Sequence, residues 1–215
     1  MFKVKQFVVN PLQENCYVVS DETEEAVIID CGCFSSKEWE DIKNYILAGN
    51  LKIVHLINTH AHFDHILGEG FVCRDFKVSP EGSEEDGALY DDLDGQLRMF
   101  MLPTDMGVPP LPKMKGYLAE NDIVSFGNHK FQVIHTPGHT RGGLSFYCKE
   151  ENVLFTGDTL FCSSIGRTDF PGGSYEQIIS AITKKILTLP PDTLVYSGHG
   201  IQTTVRNEME NNPYL

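Results

Sequence analysis

Four side chains able to bind a metal fall within six residues in Thr59-His60-Ala61-His62-Phe63-Asp64-His65, directly behind the apolar run Ile53, Val54, Leu56 and Ile57. Imidazoles and carboxylates are costly to bury unless each finds a partner. A chain that places four of them at the end of a buried strand therefore needs something there to satisfy them, and a metal ion would do so. In an extended stretch His60 and His62 point the same way and can share one ion, while a turn at Phe63 can aim Asp64 and His65 at a second.

The same design recurs three times further along. Short apolar runs end in His135-Thr136-Pro137-Gly138-His139, in Leu154-Phe155-Thr156-Gly157-Asp158 and in Val195-Tyr196-Ser197-Gly198-His199. In each, a glycine precedes the polar side chain and lets the backbone turn sharply off the strand. Alone, His139 or His199 reads equally well as an ordinary hydrogen-bonded histidine. Strands that end along one edge would bring all of these side chains together, and the set is then a candidate metal centre of His60, His62, Asp64, His65, His139, Asp158 and His199.

Around these motifs strand and helix signals alternate. Strands are predicted over the N-terminus MFKVKQFVVN, over 15–20 and 26–30 with a turn at Asp21, Glu22 and Thr23 between them, and over 53–58, 122–126, 130–135, 144–148, 153–156 and 193–196. One helix is expected to start at a Ser36 cap, to bury Trp39, Ile42, Tyr45 and Ile46, and to end at Gly49. A second starts at Ser174 with Gln177 completing a capping box, turns Ile178, Ile179, Ile182 and Ile186 inward, and stops before Pro190. A short terminal helix follows the last strand. Groups of strands with helices between them predict an α+β fold of two packed sheets flanked by helices, and 215 residues fit one domain over 1–215.

Residues 76 to 116 stand apart, with the acidic stretches EGSEED and YDDLDG followed by Pro103, Pro109, Pro110 and Pro112. They read first as a helix and a solvated surface connection, with a lid over the site as the alternative. Asp92-x-Asp94-Gly95 is too short for a calcium loop. Seventeen basic residues against thirty acidic ones give a formal charge of -13, which would repel a phosphate backbone, so nucleic acid is not an expected partner. The chain has neither a secretory apolar region at its start nor a run of about 18 apolar residues, so cytoplasmic residence without membrane association is expected. Six scattered cysteines lack a C-x-x-C pair, and Cys31 and Cys33 read as packed thiols without a role.

The motifs THAHFDH, HTPGHT, GDTLF and SGHG, in this order, resemble the metallo-β-lactamase superfamily, and the likeness runs from about Asp30 through GRTDFPGG to the closing NNPYL. Within it the chain is most similar to glyoxalase II, the hydroxyacylglutathione hydrolases, in a short form. The resemblance implies an αββα sandwich with two divalent metals at its edge, zinc first, with iron or manganese as alternatives. It makes His60, His62 and His139 ligands of one metal and Asp64, His65 and His199 ligands of the other, with Asp158 bridging them. It also gives Asp64 a catalytic task, orienting the nucleophile. True β-lactamases of the superfamily usually carry a cysteine where this chain has Asp158, which argues against a β-lactam substrate. His135 is not a ligand in the family and is expected to be structural, and His55 and His129 belong to no motif.

Two cations sharing a water lower its pKa toward neutrality and supply a hydroxide nucleophile, so no serine or cysteine is needed. The expected reaction is hydrolysis of a small-molecule thioester such as S-lactoylglutathione, with the oxyanion stabilised by one ion and the thiolate leaving with little protonation. Arg167, in IGRTDF, is a candidate to grip a substrate carboxylate with its fork, the alternative being an internal pair with Asp169. Full-length glyoxalase II has a C-terminal helical domain that supplies glutathione contacts, and this chain ends soon after His199, which leaves the thiol open. The residues admit two other readings. One is an iron-dependent persulfide dioxygenase, a relative with a similar GRTDF segment, using His60, His139 and Asp158 on a single iron. The other is a metal-stabilised binding protein without turnover.

Overall fold

Period-two alternation divides the core of this protein, whose computed structural model describes residues 1–215. In strand β2 (Glu14–Ser20), Cys16 and Val18 face one layer while Tyr17 and Val19 face the other. In β3 (Glu25–Ile29), Ala26 and Ile28 part from Val27 and Ile29 in the same way. A strand apolar on both sides needs cover on both faces. The first sheet runs β1 (Lys3–Val9), β2, β3, β4 (Lys52–Ile57), β5 (Pro80–Gly82) and β6 (Gly116–Tyr117), antiparallel up to β3 and parallel beyond it. The second runs from β7 (Ile123–Phe126) through β8 (His129–His135), β9 (Leu144–Cys148) and β10 (Val153–Gly157) to β13 (Leu194–Ser197) and β14 (Thr203–Thr204). A two-stranded piece, β11 (Leu160–Phe161) with β12 (Ser164–Ile165), stands beside them.

The sheets meet through Tyr17, Val19, Val27 and Ile29 on one side and Phe131, Val133, Phe146 and Phe155 on the other. Outside the first sheet, Cys16, Val18 and Ile28 lie under Trp39, Ile42 and Ile46 of α1 (Ser36–Ala48). Short α2 (Phe63–Ile66) leads into α3 (Glu69–Phe76), which adds Phe71 and Val72 to that layer. Outside the second sheet, Leu154 and Val195 are covered by Ile178, Ile182 and Ile186. Each such side chain, fully buried, contributes about 1.5–3 kcal/mol. The result is the αββα sandwich expected from the sequence, and none of its helices is long and apolar enough to cross a membrane.

Three local expectations change. The cap of α1 is Ser35, not Ser36: the Ser35 Oγ accepts from the Glu38 N–H, and a cap needs its oxygen three residues before that donor. The helix begun by the Ser174 cap, α6 (Tyr175–Ala181) after α4 and α5 below, passes into a wider π-type turn over Ile182–Ile186. That turn keeps Ile178, Ile182 and Ile186 on one face at four-residue spacing and leaves Ile179 only half-buried.

The segment read as a solvated excursion is the third correction. After β5 a short turn, Glu84–Asp86, leads into α4 (Gly87–Asp91) and α5 (Leu93–Met99), and their apolar side packs down. Leu89, Tyr90 and Leu93 cover Ala61 and Ile66, and Leu97, Asp86 and Gln96 are buried as well. Leu89, Leu93 and Leu97 recur every four residues, a helical stripe within an acidic sequence.

Candidate metal centre

Strand direction brings the ligand-type side chains together. β8 and β10 are each antiparallel to β9, so they run the same way, and β13 is parallel to β10. His139, Asp158 and His199 therefore leave one edge of the second sheet, opposite the turn in which β4 delivers His60 and His62 and α2 presents Asp64 and His65. Two glycines are required here for different reasons. Gly157 has φ of +49°, closed to most side chains. Gly198 is needed for room: a Cβ there would lie 2.3 Å from Asp158 Oδ1 and 2.8 Å from His65 Cε1.

All seven predicted side chains converge. His60, His62 and His139 bring donor atoms within 4.8 Å of one another, as do Asp64, His65 and His199, and also His60, His65 and Asp158. Asp158 lies between the groups: its Oδ2 is 3.5 Å from His139 Nε2 and 3.6 Å from His199 Nε2, and its Oδ1 is 3.5 Å from His65 Nε2. His62 Nδ1 faces His139 Nε2 at 2.8 Å.

Most of these rings have their second nitrogen engaged elsewhere, which aims the first at the cluster. His65 Nδ1 donates to Asp30 Oδ2, His139 Nδ1 to the Arg167 carbonyl, and His199 Nδ1 to the carbonyls of Leu12 and Gln13. The Thr59 hydroxyl donates to Asp30 Oδ2, so it can only accept from His60 Nδ1. Asp30 also takes the Thr59 N–H at 2.7 Å. Glu14, Asp30 and His65 form a further buried group of donor atoms, but three hydrogen bonds already occupy Asp30, and it acts as an anchor for two histidines.

Burial governs the protonation of this cluster. It pushes His62 down to about 3, with His139 adding to the effect, and holds His60 well below its ordinary range, so both rings are neutral donors. Burial also disfavours charge on His65, but Asp158, Asp30 and Asp64 together outweigh it and raise the ring. His199 is raised by its hydrogen bond to Asp64 and by Asp158 against the same opposing burial. Asp158 is held low against burial by His65, His139 and His199, and Asp64 by His65 and His199. Glu14 is pushed up, chiefly by burial.

Five buried side-chain atoms in the chain lack a hydrogen-bond partner, and three of them are His60 Nε2, His65 Nε2 and Asp158 Oδ1. An unpartnered buried polar atom costs about 1–3 kcal/mol, and three aimed at one point fit a cation there. Imidazole and carboxylate donors without a thiolate suit zinc, iron or manganese.

A cleft of about 410 Å³ opens over the cluster between Phe63, Phe100 and Phe170 on one side and Phe161, Ile165 and Leu12 on the other. Phe100 comes from just beyond α5 and packs tilted against Phe63 with ring centres 4.8 Å apart and edge-on against Phe170 at 5.5 Å. Arg167 lines this cleft, but its Nε and Nη2 donate to Asp169 at 2.8 and 2.7 Å and its guanidinium lies 3.7 Å over the Phe170 ring. The internal pair is thus the one formed. His135 donates to or accepts from no ligand and lies 2.9 Å from the Arg141 carbonyl, while His55 and His129 pair with Glu81 and Asp21 away from the cleft. All six cysteines are free thiols, and Cys31 and Cys33 are buried among apolar side chains.

An αββα sandwich carrying histidines and aspartates at the shared edge of its sheets defines a metallo-hydrolase class. The sequence profile of the metallo-beta-lactamase superfamily matches residues 9–199, and the chain belongs to that superfamily. It is 38% identical over 209 residues to the hydroxyacylglutathione hydrolase GloC of Haemophilus influenzae, covering 96% of this chain and 95% of that one. Among solved structures it resembles the B3 metallo-beta-lactamase BLEG-1, with 35% identity, 99% of both chains covered and a TM-score of 0.89. It also resembles TTHA1623 in a di-iron-bound form, with 34% identity, 98% of this chain and all of that one covered, and a TM-score of 0.84.

Proposed function

We propose that this chain is a metal-dependent hydrolase of thioesters of the S-lactoylglutathione type, working with two divalent metals, zinc first. The observation that carries this reading is the pair of donor groups joined at Asp158, with unpartnered buried nitrogen and oxygen atoms aimed between them. His60, His62 and His139 would hold one ion and Asp64, His65 and His199 the other, with Asp158 shared. Bound there, the ions would lower the pKa of a water, so that no serine or cysteine nucleophile is needed, and would polarise the acyl carbonyl.

The chain's own contributions follow from its geometry. Asp64 is held ionised and borders the cleft, so its carboxylate accepts a hydrogen bond from the attacking water and orients it. Phe63, Phe100, Phe161 and Phe170 exclude bulk water around the scissile bond, which strengthens every charge interaction there. A thiolate leaves with little need of a proton. Arg167 already gives its Nε and Nη2 to Asp169, which leaves its Nη1 edge for a substrate carboxylate, and the glutathione assignment rests on the likeness to GloC more than on that residue.

The likeness to BLEG-1, a B3 metallo-beta-lactamase, supports a second reading, hydrolysis of a β-lactam, against the expectation drawn from Asp158. The persulfide dioxygenase reading needs only His60, His139 and Asp158 and leaves Asp64, His65 and His199 without a task. The zinc-loaded protein is expected to release thiol from S-lactoylglutathione. Oxygen uptake with glutathione persulfide by a single-iron form that releases no thiol from S-lactoylglutathione would overturn the hydrolase reading, and β-lactam opening without thiol release from S-lactoylglutathione would move it to the second substrate.

A further inference from the structure

The backbone that carries His62 is gripped from outside the sandwich. Gln96, on α5, accepts the Phe63 N–H at 2.9 Å through Oε1 and donates from Nε2 to the Ala61 carbonyl at 2.9 Å and the Leu89 carbonyl at 2.8 Å. One side chain thus holds the peptide groups on both sides of His62. Asp86, at the end of the turn before α4, accepts the Ala61 N–H at 3.2 Å and the Thr140 hydroxyl at 2.8 Å through Oδ2, and the Gly142 N–H at 2.7 Å through Oδ1. It therefore ties the residue before His62 to the loop after His139. These are the two rings whose nitrogens face each other at 2.8 Å. Both clamps are buried, Asp86 at 3% exposure and Gln96 at 7%.

We propose that Gln96 and Asp86 are positioning residues for one half of the metal centre: they set the spacing of His62 and His139, and with it the affinity of the His60, His62 and His139 site, while leaving the Asp64, His65 and His199 site untouched. The second site takes its supports from other residues, namely Asp30, Asn10 and the carbonyls of Leu12 and Gln13. Residues that orient ligands typically change metal affinity by about 10–100-fold when removed. Gln96→Met keeps the length and burial of the side chain and removes all three hydrogen bonds. Asp86→Asn keeps its size but turns a donor toward an N–H or hydroxyl that now has no acceptor.

Stepwise cobalt(II) titration of the metal-stripped full chain, followed by visible absorption, tests this without reference to turnover. His62→Ala and His199→Ala identify which absorption change belongs to which site, and the unfolding midpoint of each stripped variant reports folding. In both Gln96→Met and Asp86→Asn the first-site transition weakens by about 10–100-fold and the second-site transition stays where it is in the unmodified chain. Equal weakening of both sites, or of neither, overturns the assignment. If one variant does not fold, the other decides by the same criterion; if neither folds, titration of Gln96→Asn, shortened by one methylene, does so. The inference rests on the two-metal reading, and the unmodified chain separates the two: one cobalt transition there defeats that reading, whereas two transitions that ignore the variants defeat only the role of Gln96 and Asp86.

Discussion

Apart from Asp30, which anchors His65 directly and His60 through the Thr59 hydroxyl, the two halves of the metal centre are supported from different sources. Around His65 and His199 the supports belong to the first sheet and the turns beside it: Asp30 holds His65, the Cys31 N–H takes the His65 carbonyl at 2.7 Å, and Asn10 donates to the carbonyls of Gly32 and Asp64. Around His62 and His139 they come largely from the α4 and α5 excursion, through Asp86 and Gln96. Geometry inherited from strand register comes with the fold. Geometry set by an inserted helix pair depends on a handful of hydrogen bonds, and it is the half that variation in the insert can retune.

The largest effect is expected on the sheet side. Asp30→Ala removes the acceptor of the Thr59 N–H, the Thr59 hydroxyl and His65 at once, and loss of one partner from such a buried charged network costs about 3–5 kcal/mol. Urea unfolding of the metal-free chain measures it, and a loss no greater than that of an ordinary surface substitution would erase the contrast between the halves. On the excursion side the same measurement on Gln96→Met should give a smaller loss, about 1–3 kcal/mol, because peptide groups rather than ions lose their partners.

A third effect, read as a slope with pH rather than as a fixed loss, concerns the joint between the excursion and α3. Burial pushes the Glu69 carboxyl up to about 8, although Tyr90 and Asn58 donate to it. The folded chain keeps this proton up to that pH, whereas the unfolded chain releases it near the ordinary carboxyl value. Its contribution to stability is therefore complete below the unfolded pKa and is lost as pH rises through about 8. Glu69→Gln should remove that slope, so that the variant gains on the unmodified chain in unfolding midpoint between about pH 5 and about pH 9. Parallel curves would mean that Glu69 is ionised throughout, and that the joint is not a protonated carboxyl.

Why one half is readable in the sequence and the other is not follows from the same contrast. Each ligand follows an apolar run, usually across a glycine, so the strand ends announce His60, His139, Asp158 and His199, and the continuous apolar runs of β2 and β3 fit a sheet covered on both faces. Asp30 carried the same sign, a polar residue closing Ala26-Val27-Ile28-Ile29, although its carboxylate serves hydrogen bonds rather than the cleft. Asp86 and Gln96 carried none. They sit among Glu84, Glu85, Asp91, Asp92 and Asp94, and only the tertiary approach of Ala61 decides which of these polar side chains is buried. The trace left in the sequence is the spacing of Leu89, Leu93 and Leu97. Strands of two or three residues, β5, β6, β11, β12 and β14, are too short to show a period.

Asp158 is the side chain both halves share, and metal stoichiometry in Asp158→Ala tests the account most directly. Elemental analysis of the unmodified chain after zinc loading and desalting should find two ions per chain, and the variant, still folded by circular dichroism, should lose both together along with thiol release. Two ions retained by Asp158→Ala, or a single ion in the unmodified chain, would contradict a dinuclear centre joined at that carboxylate.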